Sequence, residues 1–366
     1  MNYFFGPLEN SQYSPAFVYP ASVVTSRQLL SKELLMKKPT CKLAALTMLG
    51  ASLVPAVTTA AEKAGTAGAY PNKPIRLIVP FPPGGGTDLV SRILQPAVTS
   101  ALGQQLLIDN RGGAQGTSGT AIGAKANPDG YTLIVAEIGA TTVAPWMYDK
   151  VPFDVARDFA PITLLIEQPY IVSVHPTVPA KTLADFIKLA QAKPNGYNFG
   201  SGNVTSHLAQ EVFYQTAKVK ITHVPYRGSG PAMTAALGGE VQTLFSGPGA
   251  AIPQIRAGKI RALAVTTAKR TRELPELPTL DESGYKGFAI SGWYGLMAPA
   301  GTPQPVITQL NSVFTKILSG SDAAKQLSDR GYDPTPMAPE AFGKFMQAEY
   351  QRWGKAVKAA GVKATD

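Results

Sequence analysis

Ile75-Arg76-Leu77-Ile78-Val79-Pro80-Phe81-Pro82-Pro83-Gly84-Gly85-Gly86-Thr87-Asp88 is the stretch on which the fold turns. Its first five residues form a short apolar run stopped by Pro80, the pattern of a buried strand. Phe81 to Gly86 is a Pro/Gly loop. Thr87 and Asp88 are residue types that cap helices, and Leu89, Val90, Ile93 and Leu94 then recur at helical spacing. Strand, glycine loop and helix in that order predict an α/β unit with a parallel sheet.

Working outward, the same alternation repeats. Leu106 to Ile108 is a second strand, Ala114 to Ala126 a small-residue helix, and Asn127-Pro128-Asp129-Gly130 a turn. Tyr131 to Ala136 is a third strand. The pattern restarts at Tyr170 to Val174, followed by a helix over Leu183 to Ala192. Tyr197 to Phe199 then leads into Gly200-Ser201-Gly202, with a helix over Leu208 to Ala217. Ile221 to Val224 leads into Pro225-Tyr226-Arg227-Gly228-Ser229-Gly230-Pro231, with a helix from Ala232 to Leu237. Val241 to Phe245 and Ile260 to Thr266 read as further strands. Val306 to Leu318 and Pro339 to Ala360 read as helices without a sheet of their own, so they must pack on an earlier one, the first being the better host. Two α/β lobes follow, residues 70–168 with 292–366 and residues 169–291, and the cleft between them is the place for a small ligand.

The segment before this pattern is of another kind. Lys37, Lys38 and Lys42 precede an uncharged apolar run from Leu43 to Val57, followed by Thr58, Thr59, Ala60 and Ala61. Basic, apolar and small-residue regions in that order describe an export signal over 36–61, placing the product in the periplasm. The run is short for a bilayer span. Residues 1–35 read as an extension upstream of a start at Met36. Cys41 precedes the apolar run, where a lipid-anchored Cys would follow it.

Composition narrows the function. The chain of 366 residues is 45% apolar and 16% charged, with a single Cys and three His. A disulfide framework and a Cys-based zinc site are excluded, and a multi-His metal centre has little to draw on. Loss of Arg27, Lys32, Lys37, Lys38 and Lys42 with Glu9 and Glu33 lowers the net charge from +10 to +7. The remaining bases are dispersed apart from Lys269-Arg270-Thr271-Arg272, the pattern of a solvated face rather than of a nucleic-acid site. There is no G-x-S-x-G elbow, H-E-x-x-H motif or reactive Cys. No enzyme, catalytic residue, cofactor or metal is predicted.

Binding groups, by contrast, are plentiful. The loop Phe81, Pro83, Gly84, Gly85, Gly86, Thr87, Asp88 aims backbone amides and a helix start at one spot, which favours a carboxylate or phosphate. It lacks the P-loop lysine and the G-x-G-x-x-G spacing, although Asp109 lies where a ribose-binding acid would. Asp88 reads as a helix-cap residue. A second glycine loop carries Ser201, Val204, Thr205 and Ser206, with Thr205 or Ser206 as the helix cap. His207 reads as structural. Tyr226 and Arg227 form a third element, the guanidinium being a fork for a carboxylate. Phe245-Ser246 is a fourth rim.

Further ordered motifs run through the chain: Tyr70-Pro71, Leu102-Gly103-Gln104, Asp109-Asn110-Arg111-Gly112-Gly113-Ala114, Pro128-Asp129-Gly130-Tyr131-Thr132-Leu133 and Asp158-Phe159-Ala160-Pro161. Ser206-His207-Leu208, His223-Val224-Pro225-Tyr226-Arg227-Gly228, Ala257-Gly258-Lys259, Leu274-Pro275 and Trp293-Tyr294-Gly295 complete them. With the Val79 to Asp88 loop they make residues 70–360 resemble the Bug family, the extracytoplasmic solute receptors of tripartite tricarboxylate transporters. The resemblance implies a type II, Venus-flytrap-like periplasmic binding protein. It would be a monomer that closes on a small carboxylate, largely through backbone groups and bridging water, and hands it to integral-membrane transporter subunits. Two departures stand out: Val204 where a glycine is common, and Ser246 where many members place Asp. The second implies a neutral pocket that disfavours an ammonium group.

Overall fold

The structure, a computed structural model, describes residues 70–361. The export signal and the upstream extension lie outside them. The first half of the chain runs β1 (Ile75–Val79), α1 (Gly86–Leu102), β2 (Leu106–Asn110), α2 (Thr117–Ala124), β3 (Thr132–Glu137), α3 (Ala144–Met147), α4 (Val155–Asp158) and β4 (Phe159–Pro169). The middle runs β5 (Ile171–Val174), α5 (Leu183–Ala192), β6 (Asn198–Ser201), α6 (Val204–Thr216), β7 (Thr222–Pro225), α7 (Ser229–Leu237), β8 (Thr243–Ser246), α8 (Pro248–Arg256) and β9 (Arg261–Val265). The chain ends with β10 (Ser291–Pro299), α9 (Gln304–Leu318), α10 (Asp322–Ser328), β11 (Asp333–Pro334) and α11 (Pro339–Ala360).

Two sheets result, ordered β11-β4-β10-β3-β1-β2 and β7-β6-β8-β5-β9. Strands joined by a helix pair in parallel, β1 with β2 and β3, and β6 with β7 and β8. The crossover helices make that pairing possible. Strands that come from elsewhere in the chain, β10 and β5, pair antiparallel with their neighbours.

Alternation along the strands divides the core. Ile75, Leu77 and Val79 of β1 and Leu133 and Val135 of β3 pack with Val90 and Leu94 of α1 and with Leu310 and Phe314 of α9. Ile78, Ile134 and Ala136 point the other way. They join a cluster that contains Trp293, Phe342 and Trp353 and runs on into Phe186, Phe199, Phe213 and Phe245 beside the second sheet. A third cluster, with Met233, Leu244 and Ile252, lies under α7 and α8. The C-terminal helices α9 and α11 pack on β4 of the first sheet.

Several elements differ from the sequence reading. β4 and β10 were not predicted as strands; β10 alone pairs with both β3 and β4. Its residues Trp293, Tyr294, Leu296 and Met297 are all buried, so no polar face marks it as a strand. Helix α10 and the short strand β11 stand between the two C-terminal helices, where none was expected. A 3-10 turn at Ala114–Gly116 precedes α2, with Gln115 at φ 54° and Gly116 at φ 94°. Helix α7 begins three residues earlier than predicted, because Pro231 falls in its first turn, where a missing N–H costs nothing.

The chain passes between sheets twice, through Tyr170 and through the segment leading to β10. These crossings are tied to one another. Thr266 donates its amide to the Tyr170 carbonyl and its hydroxyl to the Ile290 carbonyl, while its own carbonyl accepts the Ile290 amide and its Oγ1 the Tyr170 amide, over 2.6 to 3.0 Å.

The β10 seam gives a direct test of packing. A Cβ on Gly295 would collide with the Phe342 ring, and Phe342 is fully buried. Gly295→Ala should cost about 1–3 kcal/mol by overpacking, and Phe342→Ala about 3–5 kcal/mol by cavity formation. The double variant should cost less than their sum in denaturant unfolding, since each change relieves the other; simple additivity would contradict this packing.

Candidate functional site

The loop after β1 is built around Asp88. This side chain, almost wholly buried, accepts hydrogen bonds from the Gly84 amide at 3.0 Å, from Arg92 Nε at 3.0 Å and from Asn110 Nδ2 at 3.1 Å. Asn110 also donates to the Phe81 carbonyl at 3.0 Å. Burial alone would push the Asp88 carboxyl up, but Arg92, the Gly84 amide and Asn110 outweigh it and hold it below the usual carboxylate range. Gly84, at φ 86°, makes the turn that this network fixes. Asp88 is therefore not the helix cap expected from the sequence: it stands in the first turn of α1 and holds the loop, while Gly85 is the N-cap. A glycine cap has no side chain to offer, so the first amides of the 17-residue helix α1 keep their donors for another partner.

A second helix start has the same character. Gly228, at φ 122°, caps α7 without a side-chain hydrogen bond. The backbone of Gly228 and Ser229 packs closely on Gly202 of the loop after β6. Helix α6 is different: its cap is Asn203, whose Oδ1 accepts the Ser206 amide at 2.8 Å. That corrects the expectation of Thr205 or Ser206 as cap. The glycine loops from the two sheets face each other. A Cβ on Gly228 would lie 3.5 Å from Pro82 Cδ, and one on Gly230 would lie 3.8 Å from the Gly84 carbonyl oxygen.

Between them lies a narrow, partly open space lined by Phe81, Pro82, Pro83, Gly85, Gly86 and Thr87 on one side and by Asn203, Gly228, Ser229, Gly230 and Pro231 on the other. Glu137, at the end of β3, and Tyr294, its partner in β10, complete the lining. No lysine, arginine or histidine is among these residues. Two uncapped helix starts supply partial positive charge in their place.

Five of the sequence-predicted residues, Phe81, Pro83, Gly85, Gly86 and Thr87, line this space. Gly84 and Asp88 shape its loop. Ser201 and Val204 line a narrow neighbouring space. There Ser201 Oγ is 2.7 Å from His223 Nε2, and His223 stacks on His207 with ring centroids 3.8 Å apart. Burial and the adjacent His207 push the His223 imidazole down to about 3. Thr205 is buried beside Gly139. Ser246 is buried at the end of β8, opposite Ile171. Tyr226 is half-buried and donates to Glu240, at 3.4 Å; Arg227 is exposed. Asp109 binds Arg76 Nε at 2.7 Å and Arg111 Nε at 3.0 Å, an ion-pair network rather than a ribose site. Among the described residues no cluster of His, Cys, Asp or Glu could hold a metal, and no helix is long and apolar enough to cross a membrane.

Sequence reasoning missed Glu137 and Asn203, and it passed over Pro82, Ser229 and Tyr294, which it quoted only within motifs. The expectation of a neutral pocket was drawn without Glu137, whose carboxyl group lines this space.

Residues 90–362 match the family described as tripartite tricarboxylate transporter family receptor. The chain belongs to that family. Its relative BugT of Bordetella pertussis is 33% identical over 321 residues, 87% of this chain and 98% of BugT. Among solved structures, R. palustris Rpa4515 with adipate is 34% identical with a TM-score of 0.79, covering 80% of this chain and 99% of that one. MatC from Rhodopseudomonas palustris with bound malate is 33% identical with a TM-score of 0.75, covering 79% and 100%. The two-sheet architecture is thus that of a two-lobed periplasmic binding protein, in a family of solute-binding receptors rather than enzymes.

The Asp88 network supplies the prediction for this site. Asp88→Ala leaves the Gly84 amide and Asn110 without their acceptor and should cost about 1–3 kcal/mol of stability at neutral pH. The folded-state pKa lies below the unfolded value, so the carboxylate's contribution is complete above the unfolded value and is lost as pH falls through the folded one. Chemical denaturation should find the two proteins far apart at pH 7 and converging in strong acid; a gap that persists there would contradict the assignment.

Proposed function

We propose that this receptor captures a small carboxylate in the periplasm, between lobes formed by residues 70–168 with 292–366 and by residues 169–291, and delivers it unchanged to integral-membrane transporter subunits. The observation that carries the reading is the meeting of two uncapped helix starts, at Gly85 and Gly228, on one partly open space without a basic side chain. Amides fixed in a helix start need no reorganisation to receive an anion, and the dipole adds to their attraction. The adipate and malate bound by two relatives are of the matching class.

The ligand groups are assigned as follows. Amides at Gly86, Thr87, Ser229 and Gly230 receive the carboxylate, and Phe81 and Pro83 with Pro231 wall the carbon chain. A receptor must also release its cargo, and a site of neutral donors suits release better than a guanidinium clamp. Ligand closes the lobes only through its higher affinity for the closed state. The protein acts as a monomer, with binding and no turnover; a two-lobed cleft is complete within one chain.

A thermal-shift screen of mono-, di- and tricarboxylates tests this. An acid present at a hundred times its Kd should stabilise the protein by about 2.7 kcal/mol. The corresponding amide should do nothing, and the acid should be recovered intact. Absence of any response to carboxylates at millimolar concentration, or conversion of the acid, would overturn the proposal.

A further inference from the structure

Glu137 is the one carboxyl in the cleft lining, and the carboxylate reading above does not use it. Its side chain is 1% exposed. Oε2 accepts the Ala140 amide at 2.9 Å, with the Gly139 amide beside it. Oε1, equally buried, has no hydrogen-bond partner among the described residues, and the residue lines the space between the two helix starts. An oxygen buried in that state carries a large desolvation cost unless a group reaches it.

The neighbours decide which group that is. Tyr294, opposite Glu137 in the β10 pairing, and Tyr170, at the crossing between sheets, are the titratable side chains that face it. Thr205 approaches from α6. No basic side chain is present to offset a negative charge, and burial raises the carboxyl to about 7 against the pull of the Gly139 and Ala140 amides. A second anion beside it would raise it further. Because the amides occupy Oε2, the proton belongs on the unpartnered Oε1, where the carboxyl of this cleft-lining residue becomes a donor.

We propose that Glu137 sets the ligand specificity of this receptor by binding the solute together with one proton: neutral Glu137 donates a hydrogen bond from Oε1 to a ligand carboxylate oxygen, and an acid without an ammonium group is selected. This rests on the carboxylate reading of the cleft. The balance is simple. One proton is taken up from solvent onto Oε1, and no other bond is made or broken. Linkage gives the sign: ligand raises the proton affinity of Glu137, so binding is strongest at low pH and weakens as pH rises through the free protein's value. The limiting slope is one proton, about tenfold in Kd per pH unit.

Isothermal titration with acetate, malate, adipate and benzoate tests it. These acids are fully ionised above pH 7, so their own titration does not interfere. Heats measured in two buffers of different ionisation enthalpy should reveal uptake approaching one proton per ligand at pH 8 for the acids that bind, with Kd rising by up to about tenfold between pH 7 and pH 8. Glu137→Gln should bind without proton uptake and with little pH dependence. The wild-type proton count needs no variant and holds even if the substitution disturbs folding. Binding without proton uptake overturns the inference and leaves the receptor reading intact. So does affinity that climbs with pH and vanishes in Glu137→Gln, because an ionised Glu137 would then be gripping a ligand donor. No binding by any of the four acids overturns the receptor reading and this inference with it.

Discussion

Backbone amides at a helix start that have no internal acceptor are the constraint around which this molecule is arranged. Helix α1 begins at a glycine cap, and so does α7, and each presents its unsatisfied donors to the same space. In a protein interior such donors must find a partner. Here water would serve in the open cleft and an anionic solute in the closed one. On the proposed function, the difference between those two partners would give ligand its hold over lobe closure. A serine or aspartate at either cap would satisfy the amides internally and remove that difference.

The surrounding structure keeps the two helix starts in place. Asp88 ties the first loop to α1 and, through Asn110, to the end of β2. Gly202 lets the loop after β6 pack against the backbone at Gly228 and Ser229. The two crossings between sheets are bonded to each other through Thr266. One core cluster continues from the first sheet to the second.

Much of this was legible in the sequence. The run from Ile75 to Asp88 gave strand, loop and helix directly, because Pro80 and three glycines punctuate an otherwise regular pattern. The parallel units and the return of the C-terminal helices to the first sheet followed from the same logic. β10 did not, because a strand buried on both faces has neither alternation nor flanking charge to announce it, and Gly292 and Gly295 interrupt its apolar run. Glu137 escaped for a related reason. A single acid at a strand end reads as a solvated terminus, and only the pairing with Tyr294 places it inside. Asn203 was missed because Thr205 and Ser206, two equally good caps, follow it within three residues. Arg227, the most conspicuous polar group in the sequence, lies exposed, while neutral Gly228 and Ser229 beside it line the space.

The most direct test of the central claim is a crystal structure of the closed protein with a carboxylate it has been found to bind. The account predicts carboxylate oxygens within hydrogen-bonding distance of the amides that open α1 and α7, about 2.7–3.2 Å, and no arginine or lysine on the ligand. A carboxylate seated outside the space between Gly86 and Ser229, or held there by a basic side chain, would contradict it.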